Sequence, residues 1–520
     1  MTAALDYRSV SFAYPATNER VVDDVDLDVR AGELLVVTGP SGSGKSTLLR
    51  AANGLVPHAT GGRFSGDVLA GGRSTRTSRP RDLADVVGFV HQDPEAQFVV
   101  DQVEADLAFA LENLGYDGPT MRRRVEEVLD ALGIAALRDR DPATLSGGER
   151  QRCAIAGAMV ATPSVLVLDE PTSQLDPQGA EDVLAALARL NVDTGTTILL
   201  AEHRLDRAAP LADRAAVMSA GRIVALGDPG STLASYEGAP AVTRLGRVLG
   251  WDPPPLTVKE ARARLLGALT PECRFERAQN GSGAVVVAAR GVRVALGGRE
   301  VLHGVDVEVR EGEVVALLGR NGAGKTTLLR ALSGLQRVDA GTVQLADGVR
   351  AAYVPQDPNS LLFAPTVRAE LEHTLRLLGR TDGGAIERWL ERVGLSALAN
   401  RHPRSLSGGE RQRVAVAAVA VGGARGLLLD EPTRGMDAPS RTALARAVAD
   451  HANDGGAVVL ATHDVELAAR VATRVVVLGD GDVVADGDAR TVLAGSLFAP
   501  QVFRVLPPFL TVDEVEASLR

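Results

Sequence analysis

Lysine is almost absent from this sequence, and cysteine and aromatic residues are scarce. Only three of its 520 residues are lysine and two are cysteine, and Phe, Trp and Tyr together make up 3% of the chain. Cys153 and Cys273 cannot form a disulfide framework, which favours a reducing compartment. No apolar run approaches the ~20 residues that span a membrane, and the N-terminal residues lack the pattern of a secretory signal. We therefore expect a cytosolic protein that does not cross a membrane by itself.

The composition excludes two further classes of protein. Hydrophobic residues at 45% and charged residues at 23% are ordinary globular proportions, so wholesale disorder is excluded. The formal net charge of −10 argues against a protein that holds nucleic acid by bulk electrostatics. The length predicts about three domains, at roughly 100–200 residues for each domain.

The sequence contains an internal duplication, because several segments of the first half recur in the same order in the second half. The repeated pairs are 38–55 and 318–335, 90–98 and 354–363, 145–158 and 406–419, 165–177 and 427–439, and 199–209 and 458–468. A period of half the chain indicates two copies of one domain rather than a solenoid. The first copy is longer after its first segment, and the composition of residues 57–82 indicates a surface insertion there.

This duplication predicts domains at 1–235 and 286–495. Residues 236–285 are rich in Pro, Gly and Arg, and we interpret them as a connector. WDPPPL stops a helix, whereas the following TVKEARARLLGAL is typical of one short amphipathic helix. The C-terminal tail, 496–520, resembles the connector and is interpreted as a second copy of the same appendage.

Each half has the pattern of an α/β domain with a mostly parallel sheet. ELLVVTG, EVVALLG, VLVLDE and GLLLDE are short continuous apolar runs, as expected of strands that are buried on both faces. Polar motifs follow these runs directly. Since ligands bind at the carboxyl ends of parallel strands, we expect the functional residues to gather at that edge of each sheet.

Residues 39–46 and 319–326 both match the phosphate-loop pattern GxxxxGK[ST] between a strand and a helix. In such a loop, backbone N–H groups surround phosphate oxygens, the lysine reaches the β- and γ-phosphates, and the last hydroxyl ligates Mg²⁺. Two chance matches are negligible in a chain with so few lysines. The predicted nucleotide-binding residues are Gly39, Ser41, Gly42, Gly44, Lys45, Ser46 and Thr47, and Gly319, Asn321, Gly322, Gly324, Lys325, Thr326 and Thr327.

Acidic, amide and imidazole side chains occupy matched positions in both copies. Asp169 and Asp430 are predicted Mg²⁺ partners at strand ends, and the adjacent glutamates are predicted to orient or deprotonate the attacking water. A lone glutamine in a loop is usually solvated, and a lone histidine near a strand end is usually structural. Their duplication at matched spacing favours catalytic roles instead, and for the histidines it favours a contact with the γ-phosphate. The predicted catalytic residues are Glu170, Glu431, His203, His463, Gln92 and Gln356, and the two glutamines are also predicted metal contacts.

An LSGGE segment begins a predicted helix in each copy. Ser and Gly at a helix start are typical of an N-cap, and the same helix start is able to bind a phosphate. Both interpretations apply to Ser146, Gly147 and Gly148 and to Ser407, Gly408 and Gly409.

With these motifs in order, each half resembles an ATP-binding cassette (ABC) ATPase domain. The resemblance rests on Walker A, Q-loop, signature, Walker B, D-loop (174–176 and 435–437) and switch histidine together. It implies two tandem P-loop NTPase domains, each with a mostly parallel sheet, a helical subdomain and an antiparallel β edge. It also implies ATP and Mg²⁺ as cofactors, and ATP hydrolysis coupled to transport across a membrane.

The resemblance further implies two ATP molecules sandwiched between head-to-tail cassettes of one chain. The first site would combine Lys45, Ser46, Gln92, Asp169, Glu170 and His203 with Ser407, Gly408 and Gly409. The second would combine Lys325, Thr326, Gln356, Asp430, Glu431 and His463 with Ser146, Gly147 and Gly148.

An aromatic residue upstream of Walker A usually stacks on adenine. Tyr14 fits this position but its counterpart is Leu296, which predicts weaker ATP binding at the second site.

The first Q-loop, QDPEAQF at 92–98, is similar to that of the energy-coupling factor (ECF) importers of vitamins and transition metals, and so are AEHRLDR and PTSQLDP. This likeness implies two membrane partners, a coupling subunit that docks beside Gln92 and Gln356 and a small substrate-binding subunit. It places the protein at the cytoplasmic face of the membrane, and leaves the substrate open. Arg73, Arg76, Arg79 and Arg81 are interpreted as a solvated loop, with lipid headgroups as the alternative.

Three other groups share the two-cassette layout. PTRGMD resembles fused sugar-importer ATPases, although their second Walker A is usually degraded and GRNGAGKTT is intact. Fused peptide-importer ATPases are a further alternative. Soluble ribosome-associated ABC proteins form another class, but they typically carry a long charged linker and an Asn-His in the D-loop region, where this chain has Ser173-Gln174 and Arg434-Gly435.

Overall fold

The computed structural model describes residues 3–15, 17–265, 283–497 and 499–519. The chain divides into two compact units, Met1–Thr257 and Val258–Arg520, and each unit contains one copy of the repeated motifs. Residues 266–282 of the predicted connector, Cys273 among them, lie outside the described residues.

The first unit contains ten strands and nine α-helices among its described residues. The strands are β1 (Ala3–Ala13), β2 (Val22–Arg30), β3 (Leu34–Thr38), β4 (Arg63–Ala70), β5 (Arg73–Ser74), β6 (Val87–Val90), β7 (Val165–Asp169), β8 (Thr197–Ala201), β9 (Arg214–Ser219) and β10 (Arg222–Gly227). The helices are α1 (Lys45–Ala52), α2 (Leu55–His58), α3 (Val103–Asn113), α4 (Gly118–Ala131), α5 (Gly147–Met159), α6 (Pro177–Thr194), α7 (Leu205–Ala208), α8 (Pro229–Leu233) and α9 (Ala241–Val248).

The second unit repeats this arrangement with small changes. Its strands are β11 (Val285–Leu296), β12 (Arg299–Arg310), β13 (Val314–Gly319), β14 (Ala340–Leu345), β15 (Ala351–Val354), β16 (Gly426–Asp430), β17 (Ala457–Ala461), β18 (Arg474–Gly479) and β19 (Asp482–Asp488). Its helices are α10 (Val258–Leu265), α11 (Lys325–Leu332), α12 (Val367–Leu377), α13 (Ala385–Arg392), α14 (Gly408–Ala420), α15 (Ala438–Asn453), α16 (Val465–Val471), α17 (Ala489–Ala494), α18 (Gln501–Val505) and α19 (Val512–Leu519).

Each unit has one mostly parallel six-stranded sheet and one smaller antiparallel sheet. The six-stranded sheets have the orders β10-β9-β3-β8-β7-β6 and β15-β16-β17-β13-β18-β19. Within them only the β9–β10 and β18–β19 pairs are antiparallel. The antiparallel sheets have the orders β2-β1-β4-β5 and β12-β11-β14. The predicted α/β fold with a mostly parallel sheet and an antiparallel β edge is therefore confirmed.

The central strands separate two hydrophobic cores, which explains their continuous apolar sequences. On β3, Leu34 and Val36 belong to a core shared with the helices, while Leu35 and Val37 belong to a core shared with the antiparallel sheet. Successive side chains of a strand point to opposite faces, so a strand buried on both sides needs an apolar residue at every position.

The interpretation of residues 57–82 as a surface insertion is wrong for its central part. These residues include β4, which pairs with β1 and buries Val68 and Ala70 completely. The second unit has a matching strand, β14, which pairs with β11. The exposed arginines of the segment are partly paired, Arg73 with Asp85 and Arg81 with Asp82.

Proline-rich appendages follow both cassettes. In the first unit, the Thr243 hydroxyl of α9 donates a hydrogen bond to the carbonyl of Pro255, in the segment that follows the helix, at 2.7 Å. In the second unit the equivalent segment buries Phe509 completely. Helix α10, the described part of the predicted amphipathic connector helix, belongs to this second unit, where Arg262 Nε donates to the carbonyl of Arg504 at 2.5 Å.

Candidate functional site

The phosphate-loop pattern of each unit forms a turn between a buried strand and a helix. The loop of the first unit joins β3 to α1, and the loop of the second joins β13 to α11. A Cβ at Gly39 would lie 2.1 Å from the carbonyl oxygen of Met218, and one at Gly319 would lie 2.5 Å from that of Leu478. Only glycine therefore fits at these two positions, which lets the loop backbone turn tightly at the strand end.

Each loop holds the lysine that begins the following helix. Lys45 Nζ donates hydrogen bonds to the carbonyls of Gly39 at 2.9 Å and Pro40 at 3.1 Å. Lys325 Nζ donates to the equivalent carbonyls of Gly319 at 2.8 Å and Arg320 at 3.2 Å. Both lysine residues are buried, so the ammonium group is fixed at the centre of the loop.

The next residue of each helix is a hydroxyl residue that contacts the strand-end aspartate. Ser46 Oγ donates to Asp169 Oδ1 at 2.9 Å. In the second unit, Thr326 donates to Asp430, and Tyr353 Oη donates to Asp430 Oδ2 at 2.9 Å. The fold thus brings together residues that are 123 positions apart for Ser46 and Asp169 and 77 positions apart for Tyr353 and Asp430, because the strands beside them belong to one sheet in each unit.

The glutamates that follow these aspartates have an unusual backbone conformation. Glu170 has a φ of +50° and Glu431 a φ of +46°, and both are largely buried. A non-glycine residue rarely adopts a left-handed conformation, and such strain is concentrated at functional sites. The same strain in both copies distinguishes these glutamates from ordinary turn residues.

In the first unit, the glutamate is contacted from two neighbouring strand ends. Gln92 Nε2 donates to Glu170 Oε2 at 2.9 Å, and His203 Nε2 lies 2.8 Å from Glu170 Oε1. Gln92 follows β6 and His203 follows β8, and these strands lie on the two sides of β7. The predicted glutamine, glutamate and histidine therefore form one contiguous group.

In the second unit, the matching group is arranged differently. His463 Nδ1 lies 2.7 Å from Glu431 Oε2, and Lys325 Nζ lies 3.7 Å from Glu431 Oε1. Gln356 is exposed, and none of the hydrogen bonds found among the described residues involves its side chain. The second unit thus brings the histidine and the lysine to the glutamate, but not the predicted glutamine.

The carboxylates beside the loops lie in an electrostatically unusual environment. Burial raises the pKa of Asp169, and the neighbouring charge of Glu170 acts in the same direction. Burial also raises the pKa of Asp430, although hydrogen bonds from Thr326 and Tyr353 oppose that shift. Buried carboxylates whose anionic form is disfavoured are typical of sites that are completed by a cation.

The signature serines cap their helices. Glu149 N donates to Ser146 Oγ at 3.4 Å, and Ser146 N donates to Glu149 Oε2 at 2.8 Å. Ser407 and Glu410 make the same reciprocal pair at 3.3 and 2.8 Å. The N-cap interpretation is therefore correct, and the phosphate interpretation of these helix starts stays a prediction.

The predicted adenine-stacking residue lies against the first phosphate loop. Tyr14 Oη is 3.1 Å from Thr47 Oγ1, and its ring meets Phe12 edge-on at a centroid distance of 4.9 Å. The matching Leu296 ends β11 and is 45% exposed. The first loop is thus accompanied by an aromatic ring at a position where the second has an exposed aliphatic side chain.

One buried acidic residue was missed by the sequence reasoning. Glu202 precedes the switch histidine and is only 1% exposed. Its Oε1 accepts hydrogen bonds from Thr172 N at 3.0 Å and Thr172 Oγ1 at 2.6 Å, and its Oε2 accepts one from His203 N at 3.1 Å. Burial raises the pKa of this carboxyl group. The only signal in the sequence was an acidic residue in the otherwise apolar run TILLAEH, where the second copy has Thr462.

The donor set at each loop fits a magnesium nucleotide. The tight glycine turn, the fixed lysine and the helix start supply positive potential for phosphate oxygens. The adjacent hydroxyl and aspartate supply the oxygen ligands that Mg²⁺ prefers. In the first loop, the buried hydroxyl of Ser43 has no hydrogen-bond partner within the described residues and is an additional donor for such a ligand. Fold and site together therefore define a nucleotide-binding P-loop protein with two sites.

Comparisons with known proteins give the family. The family model described as "ABC transporter" matches residues 22–173 and again residues 302–434. A protein of Streptomyces avermitilis, named as an ABC transporter ATP-binding protein, is 46% identical over 99% of this chain and 99% of its own length. A protein of Methanosarcina mazei with the same name is 36% identical over 100% of this chain and 97% of its own. The chain belongs to the ABC transporter family of ATP-binding proteins.

This membership makes the protein an ATPase with two fused cassettes that use ATP and Mg²⁺. Among solved structures, the archaeal ribosome recycling factor aABCE1 aligns with a TM-score of 0.60 at 23% identity, covering 94% of this chain and 91% of that one. At that identity the similarity concerns the fold. No helix in the described part of the chain is long and apolar enough to cross a membrane.

Proposed function

We propose that this chain is the energy-coupling ATPase of a membrane importer of the ECF type, which takes up a vitamin or a transition metal. It would act with an integral coupling subunit and a small substrate-binding membrane subunit, at the cytoplasmic face of the membrane. ABC family membership supports the ATPase activity. The first Q-loop supports the narrower proposal by its sequence and by its contacts.

The contacts of the first Q-loop connect it to the signature helix α5. Gln97 Nε2 donates to the carbonyl of Phe89 on β6 and to the carbonyl of Ala154 on α5, each at 3.3 Å. Arg150, in the signature segment, pairs with Glu95. Gln92, at the start of the same loop, contacts Glu170. A displacement of this loop would therefore also displace the start of α5 and the side chain of Glu170. An ATPase that exchanges conformational changes with a membrane subunit docked on its surface requires such a connection.

We further propose the residue roles at each cassette. Lys45 and Lys325 bind the β- and γ-phosphates, and Ser46 and Asp169, or Thr326 and Asp430, hold the cation. Bound Mg²⁺ neutralises phosphate charge as it develops during transfer. The capped starts of α5 and α14 offer backbone N–H groups for a further phosphate contact.

Glu170 and Glu431 are proposed to orient and deprotonate the attacking water. Each glutamate has a strained φ and is largely buried, and its burial limits access of bulk water. His203 lies 2.8 Å and His463 2.7 Å from these carboxylates, so each imidazole lies beside the group that would receive the proton of the attacking water.

The experiment is purification of the tagged full-length chain from its native membranes in a mild detergent. We expect two different integral membrane proteins to co-purify with it, and identification of the smaller one would indicate the substrate. Recovery of two related permease subunits without a small one would instead indicate a sugar or peptide importer. Co-sedimentation with ribosomes and no membrane protein would contradict the proposal and favour the ribosome-associated class.

A Glu170→Gln, Glu431→Gln double variant serves as the matched sample. This variant is expected to retain ATP because water activation is removed, so complexes that depend on the ATP-bound state are enriched. If the same membrane proteins are recovered with and without ATP, their association does not depend on the nucleotide state, and if none is recovered in either sample, the importer proposal is wrong.

A further inference from the structure

We propose that Tyr353 is a positioning residue for the cation of the second site, and that the two sites consequently differ in cation affinity. The proposal concerns the side chain that precedes the second Q-loop, which none of the motifs discussed above includes. It rests on the proposed role of Asp430 as a cation partner.

The geometry at Asp430 carries the inference. Tyr353 Oη donates to Asp430 Oδ2 at 2.9 Å, while Thr326 donates to the same carboxylate. Asp430 is 2% exposed and Tyr353 is half-buried against the core of the antiparallel sheet. The phenol is held by β15, which is hydrogen-bonded to β16, the strand that ends in Asp430. A rigid donor on a neighbouring strand therefore fixes the rotation of this carboxylate.

The first cassette offers a natural comparison. Phe89 occupies the matching position, since it pairs with Val167 as Tyr353 pairs with Leu428. Its ring meets His91 edge-on at 4.8 Å and carries no hydroxyl group. Asp169 accepts a hydrogen bond from Ser46 at 2.9 Å but has no phenol donor at this position. The two carboxylates therefore differ by one hydrogen bond from an otherwise similar ring.

Such partners of a metal ligand matter because they orient it. Removing a hydrogen-bond partner that orients a ligand typically lowers metal affinity by about 10–100-fold. We therefore expect the tyrosine to strengthen cation binding at the second site. The first site has to orient Asp169 when the cation arrives, and it binds the cation more weakly for that reason.

The test measures Mn²⁺ binding by electron paramagnetic resonance in the full-length chain, with a non-hydrolysable ATP analogue present. Lys45→Ala weakens nucleotide binding at the first site, so that the analogue at limiting concentration occupies the second site, and Tyr353→Phe is then added. We expect the Kd of Mn²⁺ to rise about tenfold, while the affinity for the analogue in excess chelator stays the same. A Kd of Mn²⁺ within twofold of that of the Lys45→Ala parent would overturn the proposal. So would a loss of affinity for the ATP analogue in excess chelator that equals the loss of affinity for Mn²⁺.

The reciprocal variant is Phe89→Tyr on a Lys325→Ala background, which reports on the first site. We expect Phe89→Tyr to tighten Mn²⁺ binding at the first site. If Tyr353→Phe does not fold, this variant is the test, and an unchanged Kd of Mn²⁺ would overturn the proposal. Asp430→Asn separates this inference from the proposed function. If it leaves Mn²⁺ binding intact, the assigned role of Asp430 is wrong, whereas loss of binding with no effect of Tyr353→Phe contradicts the inference alone.

Discussion

Glu170 in the first cassette is contacted by Gln92 and His203, whereas Glu431 in the second lies beside His463 and Lys325. The same motifs supply all of these side chains, so the sequences alone do not explain the difference. In the first cassette the glutamate is connected to the Q-loop through Gln92, whereas Gln356 of the second Q-loop is exposed. Duplication has preserved the residue types while the contacts between them have diverged.

The side chains around the two phosphate loops also differ between the cassettes. The first has Tyr14 against Thr47, where the second has the exposed Leu296. The second has Tyr353 on its aspartate, where the first has Phe89. We infer that the first cassette is better suited to hold the base of the nucleotide and the second to hold the cation. The predictions below test this division, starting with the largest expected effect.

Replacing either of the two proposed catalytic glutamates is expected to lower ATP turnover at its own site by about 100-fold or more, because general acid–base groups contribute at least that much. Glu170→Gln and Glu431→Gln are measured separately, together with the amount of nucleotide retained after rapid gel filtration. Both variants should retain ATP. Wild-type turnover in one of the two would show that only one cassette hydrolyses ATP, which would break the comparison between two active sites.

Removing a phosphate-loop lysine is expected to weaken nucleotide binding at its own site by about 10- to 100-fold, since a charge-assisted hydrogen bond contributes about 1.5–3 kcal/mol. Titration of Lys45→Ala and Lys325→Ala with a fluorescent ATP analogue measures this loss. Unchanged hydrolysis in both variants would contradict two coupled sites.

Tyr14→Ala is expected to lower nucleotide affinity at the first site roughly tenfold, since stacking on a base contributes about 1–3 kcal/mol. The titration uses the Lys325→Ala background, and Leu296→Tyr on the Lys45→Ala background should strengthen the second site. Tyr14→Phe is the control, because it keeps the ring and loses the hydrogen bond to Thr47. Equal affinities of the two wild-type sites for the nucleotide would contradict the prediction that the first site binds it more tightly.

Glu202 is expected to affect stability rather than nucleotide binding, since burial raises the pKa of its carboxyl group. The folded state then binds this proton more tightly than the unfolded state, where the pKa is about 4.3. The contribution of this carboxyl group to the free energy of unfolding is therefore fully present below the pKa of the unfolded state. It is lost as the pH rises towards the pKa of the folded state, by at most about 1.4 kcal/mol per pH unit. Chemical denaturation of wild type and Glu202→Gln between pH 4.5 and 7.5 should show wild type losing stability relative to the variant as the pH increases.

Thr462 occupies the matching place in the second cassette and has no carboxyl group, so Thr462→Ser serves as the control. Its stability difference from wild type should not change with pH. A constant difference between wild type and Glu202→Gln over the same range would show that the carboxyl group titrates alike in both states.

Much of the fold was predictable from local sequence. The continuous apolar runs fixed the buried strands, and the phosphate-loop pattern placed the turns between β3 and α1 and between β13 and α11. Residues 57–82 were misinterpreted because polar and glycine-rich composition indicates exposure, while Val68 and Ala70 are buried by pairing with a strand some sixty residues earlier. Composition does not report such long-range pairing.

The sequence by itself determined the family, the two nucleotide sites and the residue types in each, because phosphate and cation binding require particular groups at fixed spacing along one turn or strand end. Only the tertiary structure decided which of these groups meet. Gln92 reaches Glu170 while Gln356 is exposed, and Tyr353 reaches Asp430 while Phe89 contacts His91. The contacts to Glu170 and to Asp430 join neighbouring strands, so they depend on loop conformation and strand register, which a motif does not encode.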